Sequence, residues 1–237
     1  MRAPTGLTAA RRLDVVDIAG GGAGGGDELG AFFDGVYAGA AGDDAAVPWQ
    51  SAASRDAVAR WLTTFDHRHH RRALVVAAGL GDDAAALARL GLEVVAFDQS
   101  PTAVAWAAER HPDVDVTWLV ADLFDPPAAW IDGFDLVLEV FTIQSIPPES
   151  QRRAVAAVRD FVAPGGLLVV VALRRSPDTV PAGPPWPLDP STLALLEAPD
   201  ERRPPLERIG GEEIDLAPEL ELVRRDLRRP ATTASPS

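Results

Sequence analysis

The sequence predicts an α/β fold, a doubly wound and mostly parallel seven-stranded sheet with an antiparallel hairpin at its C-terminal edge. Helix-period and strand-like segments alternate through the middle of the chain, as they do where crossover helices join parallel strands. Five consecutive strand-helix units follow one another, which makes the sheet doubly wound. At 237 residues the chain can bury one substantial core.

The elements follow in order. Over about residues 54 to 66, Val58, Trp61, Leu62 and Phe65 fall at i, i+3, i+4 and i+7 and form one apolar helical stripe. The first strand is Ala73 to Ala77; the helix after it runs to Leu90 and stops at Gly91, a residue suited to a left-handed cap. Glu93 to Phe97 is the second strand. Ser100 then offers a capping hydroxyl and Pro101 a first-turn proline, so a helix starts there and ends near His111-Pro112. Strand three is Asp115 to Val120 and strand four Phe134 to Val140. A helix from about 148 to 162 buries Val155, Val158 and Val162, and Pro164-Gly165-Gly166 turns the chain into strand five, Leu167 to Leu173. Beyond a Pro-rich excursion at 176 to 190, the charged segments Leu206 to Ile209 and Leu220 to Leu227 supply the edge hairpin. Residues 1–26 end in a glycine run and read as a flexible arm; 228–237 read as a disordered tail. Between them, 27–52 form an N-terminal cap, 53–175 the ligand-binding core and 176–227 the C-terminal loop and hairpin.

Composition closes several chemistries. Without cysteine there are no disulfides, thiolate metal sites or thiol nucleophiles. Lysine is also absent, all 22 basic residues being arginine, which removes Schiff-base chemistry and a phosphate-binding P-loop. A net charge of -13 opposes nucleic acid and anionic membranes. The longest apolar run, Leu167 to Leu173, is far too short to span a bilayer, so the chain reads as cytoplasmic, a monomer or homodimer. His67, His69 and His70 crowd ahead of strand one among arginines, at the end of the sheet opposite the site, and no metal site is expected.

In such a sheet ligands lie beyond the carboxyl ends of the strands, first at the loop after strand one. Gly79 and Gly81 in that loop let a ligand approach the backbone. Gly79-Leu80-Gly81-Asp82-Asp83-Ala84 also fits a dinucleotide fingerprint, but Asp82 and Asp83 stand where a pyrophosphate would sit, and like charges repel by on the order of a kcal/mol or more. A cationic nucleoside suits the turn better; helix capping is the plainer role for the two carboxylates. Asp98 ends strand two, 19 positions after Gly79 (98 - 79), at the spacing of an acidic residue that accepts from ribose hydroxyls. Asp122 with Leu123, after strand three, can receive an adenine amino group and cover the ring. Glu139, a lone carboxylate in an apolar strand, is the one candidate catalytic group.

These residues carry a resemblance. The turn at Gly79-Leu80-Gly81-Asp82-Asp83, Phe97-Asp98-Gln99-Ser100-Pro101, Ala121-Asp122-Leu123, Phe134 to Glu139 and Pro164-Gly165-Gly166 resemble, in order and spacing, the class I methyltransferases with their Rossmann-like fold, and within them the thiopurine-methyltransferase-like and tellurite-resistance-like small-molecule group. The resemblance implies S-adenosylmethionine as cofactor: Ala77, Gly79 and Gly81 at its methionine part, Asp98 and Gln99 at the ribose, Asp122 and Leu123 at the adenine, and Glu139 and Phe141 beside the sulfonium. Phe33, Tyr37 and Trp49 would close over the site from the N-terminal cap and face the acceptor. Ala77 and Val75 depart from the family pattern, which has glycine and an acidic residue there, and the final hairpin looks contracted. Asp125-Pro126-Pro127 resembles the motif of enzymes that methylate nucleic-acid bases, but follows strand three instead of four. The expected acceptor is a small thiol, phenol or similar nucleophile. The alternatives are a nicotinamide-dependent oxidoreductase and a non-catalytic S-adenosylmethionine-binding protein.

Overall fold

A computed structural model describes residues 25–50, 52–177, 183–199 and 203–231. Seven strands form one sheet in the order β3-β2-β1-β4-β5-β7-β6: β1 (Arg72–Val76), β2 (Glu93–Asp98), β3 (Val116–Val120), β4 (Phe134–Val140), β5 (Val162–Arg175), β6 (Glu207–Ala217) and β7 (Leu220–Arg228). The first five run parallel and β7 pairs antiparallel with both β5 and β6, which is the predicted fold class.

Alternation along the strands builds two cores. Leu74, Val76, Val137, Leu168 and Val170 face one side, where Val155 and Val158 of α5 (Pro148–Asp160) and Leu193 of α6 (Pro190–Ala194) cover them. Ala73, Val75, Leu136, Leu138, Val169 and Val171 face the other, under Val58 and Trp61 of α2 (Ala52–Thr64) and Leu87 of α3 (Asp82–Arg89). Period-two strands apolar on both faces can exist only between two helical layers. Because β1 is flanked by β2 and β4, the strand order reverses at the tip of β1, where a crevice opens.

Local signals landed close to their residues. Ser100 accepts from the Ala103 amide at the start of α4 (Pro101–Arg110), and Gly91 is left-handed with φ 89° after α3. Other bounds moved. Asp160 ends α5, and Val162 already pairs with Phe134; the ladder then skips across Pro164-Gly165-Gly166 to resume at Leu136 and Leu167, so β5 begins five residues earlier than expected. The edge hairpin is full length, not contracted. Beyond Arg208 the register shifts at Gly210 and β6 continues to Ala217, its glutamates meeting arginines of β7, β5 and α2. Gly25 and Gly26, expected in the arm, begin α1 (Gly25–Ala40), whereas 1–24 lie outside the described residues. Arg228, assigned to the tail, closes β7, and Arg229 is buried; 232–237 lie outside the described residues. No helix among the described residues is long and apolar enough to cross a membrane, and no metal-binding cluster occurs among them.

Candidate active site

The loop after β1 is built from left-handed backbone. Ala77, Gly79 and Gly81 have φ of 46°, 54° and 82°, so three alternate residues adopt a conformation that favours glycine. The turn is tied to β2 by the Ala78 amide, which donates to the Phe97 carbonyl at 2.8 Å, and by the Gly79 amide, which donates to Asp98 Oδ2 at 2.9 Å. Asp98 Oδ1 accepts from the Ser100 amide at 2.9 Å. This carboxylate therefore fixes two loops at once. Burial pushes its pKa up, against the pull of the amides it receives.

Two other glycine constraints come from side chains. A Cβ on Gly79 would lie 2.9 Å from the Tyr37 hydroxyl, and one on Gly81 would strike the Trp118 ring at 2.4 Å. Gly81 is the backbone N-cap of α3, turned away from the crevice toward Trp118, and does not line it.

The N-terminal cap closes one side. Asp34 of α1 accepts from Ser100 Oγ at 2.6 Å and from the Thr102 amide at 3.0 Å, docking α1 on the start of α4; the Ser100 hydroxyl bond, above all, holds its carboxyl below the usual range. Trp49 Nε1 donates to the Tyr37 hydroxyl at 2.8 Å, and the Phe33, Trp49 and Tyr37 rings meet edge-on at 5.3 Å. Burial, with Asp98 nearby, pushes the Tyr37 hydroxyl far up, so it stays protonated.

Between this cap and the strand tips lies a cavity of about 570 Å³. Ala77, Gly79, Asp98, Gln99, Asp122, Leu123, Phe141, Phe33, Tyr37 and Trp49, all singled out in the sequence, line it together. Asp122 Oδ1 accepts from the Phe124 amide at 2.8 Å, and Arg153 lies over the Phe124 ring at 4.2 Å. Phe141 holds φ 63°, its amide bonded to the Val171 carbonyl at 2.9 Å, and such a strained conformation persists only where its surroundings enforce it.

Glu139 is placed differently from expectation. It is fully buried and does not line the cavity; Oε1 accepts from the Thr142 and Ile143 amides at 2.6 and 2.9 Å, while Oε2 has no hydrogen-bond partner. Burial raises its pKa to about 7. The apolar strand that made Glu139 conspicuous also forces its carboxylate under the loop after β4, as a support rather than a wall.

Asp82 and Asp83 do not cap α3 with their side chains. Asp82 pairs with Arg110 at 3.3 Å and His111 at 3.4 Å; Asp83 faces the cavity, where burial and then Asp82 raise its pKa to about 6 against the opposing charge of Arg55. Sequence reasoning missed Ser54, Arg55, Ser145 and Arg153, which also line the wall. Ser54 is a polar member of the buried face of α2, with Ala57, Val58 and Trp61, and exposed Arg55 stands next to it, so an apolar stripe reports neither.

Residues 73–166 match the family described as "Methyltransferase domain". A curated relative, the N-methyltransferase gliN of Aspergillus fumigatus, is 37% identical over 73 residues, 30% of this chain, and the matched stretch spans about a quarter (24%) of the relative's length. Among solved structures, the N-methyltransferase NodS of Bradyrhizobium japonicum superposes with a TM-score of 0.63 at 16% identity, covering 84% of this chain and 98% of that one. The 1,6-didemethyltoxoflavin-N1-methyltransferase of Burkholderia thailandensis gives 0.63 at 17% identity, with 91% and 95% covered. The cyclase SpnF gives 0.67 at 16% identity, with 87% and 96% covered. The strand order and these superpositions show that the chain has the Rossmann-like fold of those structures, and residues 73–166 are the stretch similar to the methyltransferase family.

Proposed function

We propose that the protein transfers a methyl group from S-adenosylmethionine to a small-molecule nucleophile. The observation that carries this reading is the Asp98 carboxylate at the floor of the cavity, holding a left-handed glycine turn open beside carboxylates at the start of α3. The donor set fits the group: Ala77, Gly79, Asp98, Asp122, Leu123 and Phe141 line one cavity, so Asp98 would take the ribose, Asp122 and Leu123 the adenine, and Phe141 would border the sulfonium. A pyrophosphate would meet Asp82 and Asp83, which disfavours a nicotinamide cofactor.

When bound, S-adenosylmethionine supplies an electrophilic methyl carbon, and alignment of the nucleophile in line with it carries much of the rate. The chain's own residues hold the two ligands and exclude water: Phe33, Tyr37 and Trp49 from above, Phe141 and Ile146 from the loop after β4. Among the described residues no histidine lines the cavity, and in-line alignment serves an acceptor that is already nucleophilic. Asp82, Asp83, Asp98, Asp122, Asp125 and Glu149 outnumber Arg55 and Arg153 on the wall, which favours a neutral or cationic acceptor, a thiol, phenol or amine, as in the small-molecule group the motifs resemble. The names of gliN and NodS, both N-methyltransferases, lend the amine support.

Titration calorimetry with S-adenosylmethionine, S-adenosylhomocysteine and NAD tests the cofactor: the first two should bind and NAD should not. NAD binding alone would overturn the reading. Turnover over a panel of thiols, phenols and amines, read as S-adenosylhomocysteine, then separates an enzyme from a binding protein that kept the fold. The strained Ala77 favours that second reading.

A further inference from the structure

Two guanidiniums reach the cavity wall, and they have different partners. Arg153 is spent on Phe124, stacked over its ring and donating to its carbonyl at 3.2 Å. Arg55, in the first turn of α2, has no hydrogen-bond or ion-pair partner among the described residues, although it is exposed on the wall of a cavity holding six carboxylates. Arg55 and Asp83 line the same cavity, close enough for the guanidinium charge to oppose the rise in the Asp83 pKa, yet no guanidinium nitrogen comes within 4.0 Å of the Asp83 oxygens. Among the described residues no hydrogen bond to the Asp83 carboxylate is found, unlike its neighbour Asp82, which Arg110 and His111 already engage. A cation and an anion thus face one space without closing on each other.

The group that satisfies both is one carrying a carboxylate and an ammonium on the same carbon, a few ångströms apart. We propose that Arg55 and Asp83 are a charge clamp for the α-amino-acid end of the bound nucleoside, Arg55 taking its carboxylate and Asp83 its ammonium. This rests on the S-adenosylmethionine reading above. The placement agrees with the rest of the wall, since Asp83 follows the Gly79 turn in the first turn of α3 and Arg55 reaches the same cavity from the first turn of α2. The turn itself offers backbone amides but no cation, and lysine is absent from the chain. Arg55 lies outside residues 73–166, so the family match says nothing of it. A guanidinium suits the task because its planar fork binds a carboxylate with two parallel N–H donors.

The test is calorimetry at neutral pH with three nucleosides: S-adenosylhomocysteine, its decarboxylated analogue and 5′-methylthioadenosine, which lacks the amino-acid end. The native protein should prefer S-adenosylhomocysteine over the decarboxylated analogue by about 10- to 100-fold, the size of a charged hydrogen-bonded pair. Arg55→Leu should collapse that preference to near unity while leaving 5′-methylthioadenosine affinity unchanged, which also shows that the variant is folded. Arg55→Lys should keep part of the preference. Asp83→Asn should weaken the two amine-bearing ligands equally and spare the third. If Arg55→Leu keeps the native preference, or if the native protein binds all three equally, the clamp is wrong and the nucleoside site stands. Binding of none of the three to the native protein removes the cofactor reading and the clamp with it.

Discussion

The tips of β1, β2 and β4 and the β6–β7 hairpin handle charge in opposite ways. On the hairpin, Glu212 meets Arg60 and Arg224, Glu213 meets Arg174 and Arg225, and Asp226 meets Arg224. At the tips, Asp82 Oδ2 and Glu139 Oε2 are buried without hydrogen-bond partners, Asp83 faces a cation it does not touch, and Ala77 and Phe141 hold left-handed backbone. Unpartnered atoms and left-handed residues occur elsewhere too, at Arg159 Nε, Arg225 Nε, Asp132 and Glu219, but at the tips Asp82, Asp83, Ala77 and Phe141 share the wall of one cavity, where a ligand can answer them. On the hairpin each of these carboxylates meets at least one arginine, and the atom left over, Arg225 Nε, belongs to a side chain already paired with Glu213.

The largest break in that contrast is Asp98→Ala. It strips the acceptor from the Gly79 and Ser100 amides as well as from the ligand, and affinity for S-adenosylhomocysteine should fall by about 100-fold or more. Unchanged affinity in calorimetry would remove Asp98 from the site. Glu139→Leu comes next: it leaves the buried Thr142 and Ile143 amides unpaired, and denaturant unfolding should show a loss of about 2–4 kcal/mol. Glu139 also predicts a pH dependence. Its folded pKa of about 7 stands above its value of 4.5 in an unfolded chain, so the stabilisation is complete below about 4.5 and is lost as pH rises through about 7. Glu139→Gln keeps an acceptor for both amides and should flatten stability across that window. By contrast Arg60→Ala on the hairpin should shift stability by no more than about 0.5 kcal/mol, because the pair is half-exposed and Glu212 retains Arg224. A larger loss there would mean that the hairpin network is as exacting as the site.

The same contrast explains what the sequence could tell. The Ser100-Pro101 helix start, the Gly91 stop and the five parallel strands rest on local chemistry, and each is found within a few residues of its predicted place. Ten of the site candidates share one cavity because strand tips and glycine turns advertise themselves at fixed spacing. What stayed hidden depends on where a side chain turns after the strand ends. Glu139 bends under its own loop to receive two amides three and four residues on, and no spacing distinguishes that from facing a ligand. Gly81 serves Trp118 of an adjacent element, and the second half of β6 is a strand only because arginines of β5, β7 and α2 neutralise its glutamates. Those partners are distant in sequence, so composition alone read the segment as a short, charged end.

Ala77 gives the subtlest test of whether the strain at the tips serves the ligand. Its φ of 46° is left-handed, where an L-residue loses roughly 1–2 kcal/mol relative to the right-handed region and glycine loses almost nothing. Glycine's greater freedom in the unfolded chain returns about 0.5–1 kcal/mol of that difference, so Ala77→Gly should stabilise the protein by about 0.5 kcal/mol in urea unfolding. The residue also lines the cavity, next to the turn that the Gly79–Asp98 hydrogen bond ties to β2. If the methyl group only strains the turn, the glycine variant should bind S-adenosylhomocysteine at least as tightly as the native chain, because the bound conformation then costs less to hold. If it instead packs against the ligand, affinity should fall while stability rises, and the opposite signs of the two measurements would separate strain kept for binding from strain merely tolerated.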